Sequence, residues 1–358
     1  MDSILSVLAT IAIIFGVVML FNFMIFIHEL GHFIQAKKAG VYCYEFSLGM
    51  GPKLYSFKRK NDETTYSLRL LPIGGFVQMA GEEVEVDEDV PKNKRMQSKT
   101  TWQRFKIVIA GALNNFILGI VLLFLMALIY GSPETKPYIK DADEKYNAYK
   151  VNVRSGDLVL KINGKKVKTI DDALLRFELT KDGDPIKFTL KSSDGVIKEV
   201  AVRPTKIINE DKTESYVYGI SFDNSINKGF FKAIKYSFVK FASIYRSMVN
   251  VIGNLIVGKL GINSLSGPVG IYNVIGEQSK MGFENVIYLC AFISINVGFV
   301  NLIPFPAFDG GRALFIIIEK IRKKPVDQKV ENTIHSIGFM LLMLLVVIIT
   351  IQDIIKLF

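Results

Sequence analysis

Residues 3–27 carry no charged side chain, and Asn22 is the only strongly polar interruption of their run of Ile, Val, Leu, Phe and Met. A helix needs about 20 apolar residues to cross hydrocarbon, so this run is long enough to span a bilayer. Three further runs, 107–130, 286–305 and 337–351, have the same character. With 50% of the 358 residues hydrophobic, four transmembrane helices is the simplest reading, and disordered or collagen-like chains are excluded. The first run is expected to be retained. Met1-Asp2-Ser3 lacks the positive start of a secretory leader, and no small-residue cleavage site follows the apolar stretch.

The net charge of +10 indicates orientation at the lipid bilayer and no nucleic-acid partner, because Lys and Arg are scattered among acids instead of gathered with aromatics in a strip. Lys37, Lys38, Lys53, Lys58, Arg59 and Lys60 follow the first span, and Lys94, Arg95, Lys99, Arg104 and Lys106 precede the second. Arg312, Lys320, Arg322, Lys323, Lys324 and Lys329 lie between the third and fourth. Cationic loops near span ends are kept in the cytoplasm, so both termini and residues 131–282 are expected outside. The two cysteines, Cys43 and Cys290, suggest no disulfide framework and read as structural.

Within the outer stretch, residues 157–162, 186–190 and 197–202 alternate like strands. They are separated by Asn163-Gly164, Asp182-Gly183 and Asp194-Gly195, and residues 171–179 have helical spacing. This predicts a small α+β domain. The run 155–164, Ser-Gly-Asp-Leu-Val-Leu-Lys-Ile-Asn-Gly, resembles the turn, strand and turn of a PDZ domain of the bacterial protease type, with residues 218–222 as a closing strand. PDZ domains bind peptides by strand addition, although the Ala-Gly-Leu usual before the first turn is absent. Residues 230–259 then have helical spacing. They fit an amphipathic helix on the outer membrane surface or a helix packed on the spans.

The chemistry sits at the end of the first span, in His28-Glu29-Leu30-Gly31-His32. Residues four apart share one helical face, so both imidazoles can reach one Zn²⁺ while Glu29 stands near a metal-bound water. Ionisable groups beside an apolar span need a partner or a watery cavity. Catalytic zinc usually takes three protein ligands, and Asp309 is the best candidate for the third. It follows Asn301-Leu302-Ile303-Pro304-Phe305-Pro306-Ala307-Phe308, where two prolines must break the helix, and precedes Gly310-Gly311. Read alone, Asp309 fits better as the N-cap of a helix over 312–321.

Together these segments resemble the site-2 protease family of intramembrane zinc metalloproteases, most closely bacterial members of the regulator of sigma factor protease type with a single PDZ domain. The resemblance is carried by the His28–His32 motif, residues 71–82 (Leu-Pro-Ile-Gly-Gly-Phe-Val-Gln-Met-Ala-Gly-Glu), Gly111-Ala112-Leu113-Asn114-Asn115-Phe116, Ser266-Gly267-Pro268-Val269-Gly270-Ile271, and residues 301–311. It implies His28, His32 and Asp309 as zinc ligands, Glu29 as general base and acid, and Asn296 and Asn301 as residues holding substrate backbone. It also implies a membrane-associated β-hairpin over 74–81, with Gly75, Phe76 and Val77 presenting substrate as a strand. Phe308 and Ala112 depart from the usual Leu and Pro without removing a catalytic atom.

The expected fold is membrane α-helical: four transmembrane helices with a membrane-associated β-hairpin and an extracytoplasmic PDZ-like α+β domain. The expected segments are span one with the metal motif (1–39), a cytoplasmic loop with the hairpin (40–103), span two (104–130), the PDZ-like domain (131–225), an amphipathic helix and connector (226–283), span three (284–309), a cytoplasmic loop (310–333) and span four (334–358). The resemblance implies a bacterial plasma (inner) membrane, an active site near the cytoplasmic side, and transmembrane substrates with trimmed ectodomains, such as anti-sigma factors or remnant signal peptides. Two other classes compete: a proton- or cation-coupled transporter, which needs repeats or polar spans that are not found, and a non-catalytic PDZ chaperone, which needs a missing catalytic group. His335 is expected at the membrane interface, and Glu319 and Asp353 as solvated or capping groups.

Overall fold

The computed structural model describes residues 2–82, 89–208, 214–261, 267 and 282–355; of the expected Ser266–Ile271 block only Gly267 is among them. The apolar runs are helices: α1 (Asp2–Lys38), α2 (Thr101–Tyr130), α6 (Phe283–Leu302) and α8 (Gln328–Ile355). Four stretches within them, Val18–Lys38, Thr101–Tyr130, Phe283–Leu302 and Gln328–Ile355, are long and apolar enough to cross a membrane. α1 continues past the run 3–27, which carries His28 and His32 into the same helix. α6 stops at Leu302, short of the expected 305, because Pro304 and Pro306 cannot donate to the helical ladder. The connection between α6 and α8 contains α7 (Asp309–Arg322), which covers the helix read over 312–321.

The chain forms two compact units, residues 1–122 with 262–358, and residues 123–261. In the first, the expected hairpin is larger than its sequence implied. β1 (Cys43–Lys58) and β2 (Thr65–Met79) pair antiparallel, and both bend. Residues 43–48 pair on one side with 75–79 and on the other with 65–68, and residues 53–58 pair with 65–69. The bend in β1 is made at Gly49 and Gly51, with φ of +85° and +83°, a region that only glycine enters without cost. Residues 75–79 therefore form an edge strand with no second strand partner among the described residues.

Glu45 lies inside this sheet with Arg69 and Lys53 at 2.8 Å and the Ser67 hydroxyl donating to it. Burial alone would raise its pKa, but the bonds from Lys53, Ser67 and Arg69 prevail and hold it below the usual carboxylate range. Burial pushes the nearby Cys43 thiol up to about 12, so it stays protonated and inert. Ala36, Cys43, Phe46, Val77, Met79, Ile107, Val108, Ala313 and Ile316 close one apolar core from α1, the sheet, α2 and α7. That core fixes the sheet edge against the end of α1. In contrast, α8 exposes Phe339, Met340, Leu341 and Leu344, the surface expected of a helix facing lipid.

In the second unit, β5 (Leu158–Ile162), β6 (Lys165–Lys166), β7 (Ile186–Lys191) and β8 (Ile197–Val202) form a sheet in the order β6-β5-β7-β8. A separate pair joins residues 139–142 to residues 220–222, the last three of the expected closing strand 218–222. Ile139, Val159, Ile162, Ile186, Phe188, Leu190 and Val202 are its core. The helix Ile170–Glu178 begins with a Thr169–Asp172 capping box. A long helix, Phe230–Ile256, is bonded to it through Lys240–Asp171 at 2.7 Å, Arg246–Asp172 at 3.2 Å and Thr169–Ser243 at 2.6 Å. This polar partner was not foreseen; both expectations for residues 230–259 concerned the membrane or its spans. The opposite stripe, Phe231, Phe238, Val249 and Ile256, is exposed.

Candidate metal centre

Two glycines bring the motif helix against α2. A Cβ at Gly31 would lie 2.4 Å from the Ala110 carbonyl oxygen, so the two backbones touch at this crossing. One at Gly111 would lie 2.4 Å from His32 Nε2 and 2.6 Å from His28 Nε2. The imidazoles thus point into a space left by the missing side chain of Gly111.

α2 also orients both rings. His32 Nδ1–H donates to the Ile107 carbonyl at 2.8 Å, which leaves the Nε2 lone pair free. Asn115, fully buried, has its amide 3.5 Å from His28 Nδ1, and its Oδ1 has no partner. Amide nitrogen and oxygen exchange by rotation. Turned over, Asn115 accepts from His28 Nδ1–H and frees Nε2 in the same way. Asn114 donates to the Ile27 carbonyl at 3.1 Å and ties the helices one turn further on.

The third group arrives from the proline-broken turn. Ala307 adopts a left-handed φ of +88°, and a Cβ at Gly310 or Gly311 would strike the carbonyl oxygens of Ile303 and Phe305 at 2.3 and 2.5 Å. The turn is that tight. Asp309 is the first residue of α7; the N-cap is Phe308, without a side-chain cap. The capping reading of Asp309 therefore gives way to an inward one. Its Oδ2 lies 3.0 Å from His28 Nε2 and 3.2 Å from His32 Nε2, and the two nitrogens are 3.0 Å apart.

Three lone-pair acceptors so placed repel one another unless a cation or proton stands between them. Asp309 Oδ2 is buried and receives no hydrogen bond. Zinc bonds of about 2.0–2.1 Å at tetrahedral angles set ligand atoms about 3.3 Å apart, close to the separations here. His28, His32 and Asp309 are the group of residues able to hold a metal among those described. The donor set, its spacing and the space over Gly111 all fit zinc with one position open.

The centre opens into a cleft of about 600 Å³. Glu29 lies on its wall beside the sheet edge, with its Cγ 3.8 Å from where a Gly75 Cβ would stand. Phe76, Val77 and Met79 line the cleft, as do Arg312, paired with Glu82, and His335. Asn296 and Asn301 do not line it, and Asn296 donates to the Phe292 carbonyl of its own helix at 2.7 Å.

Of the residues singled out in the sequence, His28, Glu29, His32, Asp309, Phe76 and Val77 come together, with Gly75 behind them. His335, expected at the interface, faces the cleft. Glu319, expected solvated or capping, pairs with Arg104 at 2.6 Å. Asp353 is buried and accepts from the Gly267 amide at 2.8 Å. Gly111, Asn115 and Arg312 were not foreseen as parts of the site, although the first two lie in a block whose Asn pair had no stated role.

Comparison with known proteins agrees with this chemistry. A model of peptidase family M50 matches residues 15–345. The chain is 32% identical to zinc metalloprotease RasP of Bacillus licheniformis over 95% of this chain and 98% of that one. It is 30% identical to the regulator of sigma-W protease RasP of Bacillus subtilis, with the same coverage. A putative zinc metalloprotease of Clostridium perfringens is 36% identical over 94% of this chain and 96% of its own. Among solved structures, the PDZ domain of an SdrC-like protein from Listeria monocytogenes aligns with 25% of this chain and 88% of its own, at 21% identity and a TM-score of 0.21.

Proposed function

The chain belongs to peptidase family M50, the site-2 protease family, and is a membrane-embedded zinc metalloprotease; from that premise we propose how its residues divide the work. His28, His32 and Asp309 hold the zinc, and Glu29 is the general base and acid. The observation that carries this assignment is the convergence of three acceptor atoms at 3.0, 3.0 and 3.2 Å beside Glu29 and a free sheet edge. Zinc, when bound, lowers the pKa of water towards 7 and polarises the scissile carbonyl. Glu29 takes the proton of the attacking water and delivers it to the leaving amine.

Residues 75–79 receive the substrate. A transmembrane helix already has its amides hydrogen-bonded and must be unwound before attack. The unpaired edge offers replacement bonds to the unwound stretch, which then lies as an added strand along Gly75, Phe76 and Val77. Asn296 and Asn301 serve the same stretch from α6, which requires Asn296 to exchange its bond to Phe292 for one to substrate.

The cationic segments support a cytoplasmic position for this cleft and an outer position for residues 131–225 in a bacterial plasma membrane. There the second unit, PDZ-like in its sequence pattern, filters for membrane proteins whose outer part has been trimmed. One relative carries the name of a regulator of sigma-W protease; that supports regulated proteolysis, with anti-sigma factors or remnant signal peptides as substrates. The test is cleavage of single-span substrates with long or short outer domains, by wild type and by a deletion of residues 136–222. The deletion should cleave both, whereas wild type should prefer the short one. A folded, zinc-loaded deletion that cleaves neither would refute the filter.

A further inference from the structure

His335 lies on α8, outside every segment assigned a role above. The same helix supports the turn that carries Asp309: a Cβ at Gly338 would lie 2.6 Å from the Pro306 carbonyl oxygen, so helix and turn are in backbone contact. One helical turn before Gly338, His335 Nδ1 accepts the Ala307 N–H at 3.1 Å. Ala307 is the residue held at a φ of +88°.

That bond determines the tautomer. A ring nitrogen that accepts a hydrogen bond carries no proton, so in the neutral imidazole the proton is on Nε2. His335 Nε2 is buried and has no hydrogen-bond partner among the described residues. Glu331 Oε1, at 4.0 Å, is too far to accept. The ring rests on Phe315, with centroids 5.7 Å apart, and lines the cleft that holds Glu29. An N–H buried without an acceptor is unfavourable and is rarely kept in a native structure without a use.

We infer that His335 donates its Nε2–H to a peptide carbonyl oxygen of the bound substrate, while its Nδ1 braces the turn leading to Asp309. A peptide laid along residues 75–79 turns every second carbonyl away from the sheet edge and across the cleft, which supplies acceptors on the side where α8 stands. The inference rests on the reading of the cleft as a peptidase site.

Two substitutions separate the two nitrogens. His335→Asn puts an acceptor near the position of Nδ1 and removes the Nε2 donor; His335→Gln puts an amide donor near Nε2 and removes the brace. Cleavage and zinc content are measured for both. A second readout needs no turnover: the affinity of the Glu29→Gln protein for a labelled single-span peptide, with and without His335→Asn. The Asn variant should keep one zinc per chain and lose about 10–100-fold in kcat/KM, as for loss of one hydrogen bond that leaves a buried substrate carbonyl unsatisfied. Its peptide Kd in the Glu29→Gln background should weaken by about 3–10-fold. The Gln variant, which keeps a donor near Nε2 and loses the brace, should recover cleavage per bound zinc while holding less zinc than the Asn variant. An Asn variant with wild-type cleavage and unchanged Kd would overturn the inference, as would one that loses its zinc, since the ring would then be structural only. If zinc is absent from wild type, or Glu29→Gln still cleaves, the peptidase reading itself fails, and these outcomes are distinct.

Discussion

Substituting Gly111 by alanine changes no ligand, yet it should remove the metal. The new Cβ would stand 2.4 Å from His32 Nε2 and 2.6 Å from His28 Nε2, in the volume where zinc belongs. Ordinary contacts of this kind begin near 3.4 Å, so both rings must retreat by about 1 Å, whereas ligand distances in working zinc sites vary by about 0.2 Å. The rings cannot retreat freely, because His32 is tied to the Ile107 carbonyl and His28 lies against Asn115. Disturbing only the partners of a ligand weakens metal binding by about 10–100-fold; displacing two ligands at once should exceed that. The helix itself should not suffer, since alanine is favoured over glycine in a helix interior by about 1 kcal/mol. Gly16→Ala is the control, as a Cβ there meets nothing within 4 Å. The assay is metal content of purified protein by mass spectrometry, with circular dichroism and cleavage of a single-span substrate on the same samples. Gly111→Ala should be helical, zinc-free and inactive, and Gly16→Ala should match wild type. A Gly111→Ala protein with one zinc per chain and full activity would refute the packing of α2 against the motif.

Asn115→Ala removes the group beside His28 Nδ1 and should weaken zinc about 10–100-fold in competition with a chelator; unchanged affinity would mean the amide does not hold the ring. Glu45, with its pKa depressed in the fold, stabilises the sheet at every pH above the ordinary glutamate value of about 4.3. That stability is lost as pH falls through the lower folded value. Hydrogen exchange of residues 45–48 and 65–68 should therefore be slower in wild type than in Glu45→Gln at pH 7, and the difference should vanish in acid. Equal exchange at pH 7 would contradict the network with Lys53, Ser67 and Arg69.

The helices, the motif and the third ligand were legible in the sequence because each follows from local chemistry. Apolar length sets a span, a spacing of four puts His28 and His32 on one face, and Pro304 and Pro306 end a helix wherever they fall. The bent sheet was only partly legible. Residues 74–81 announced an edge, but β1 mixes Gly49 and Gly51 with exposed Leu54 and Tyr55, and its partners run from Thr65, 7 residues from Lys58, to Met79, 36 residues from Cys43. Orienting groups were the least visible. Asn115 and His335 lie far along the chain from the residues they contact, and only the crossing at Gly31 and Gly111 and the turn at Ala307 bring them close. The long helix over 230–256 was legible as a helix, but its ion pairs to Asp171 and Asp172 were not, since nothing local to either segment names the other.

The most direct measurement compares purified wild type with Glu29→Gln, scoring zinc per chain and cleavage of a single-span substrate with and without phenanthroline. The account predicts about one zinc per chain in both proteins, cleavage by wild type that the chelator abolishes, and none by Glu29→Gln. Cleavage by Glu29→Gln, or chelator-resistant cleavage by a wild type without zinc, would contradict it.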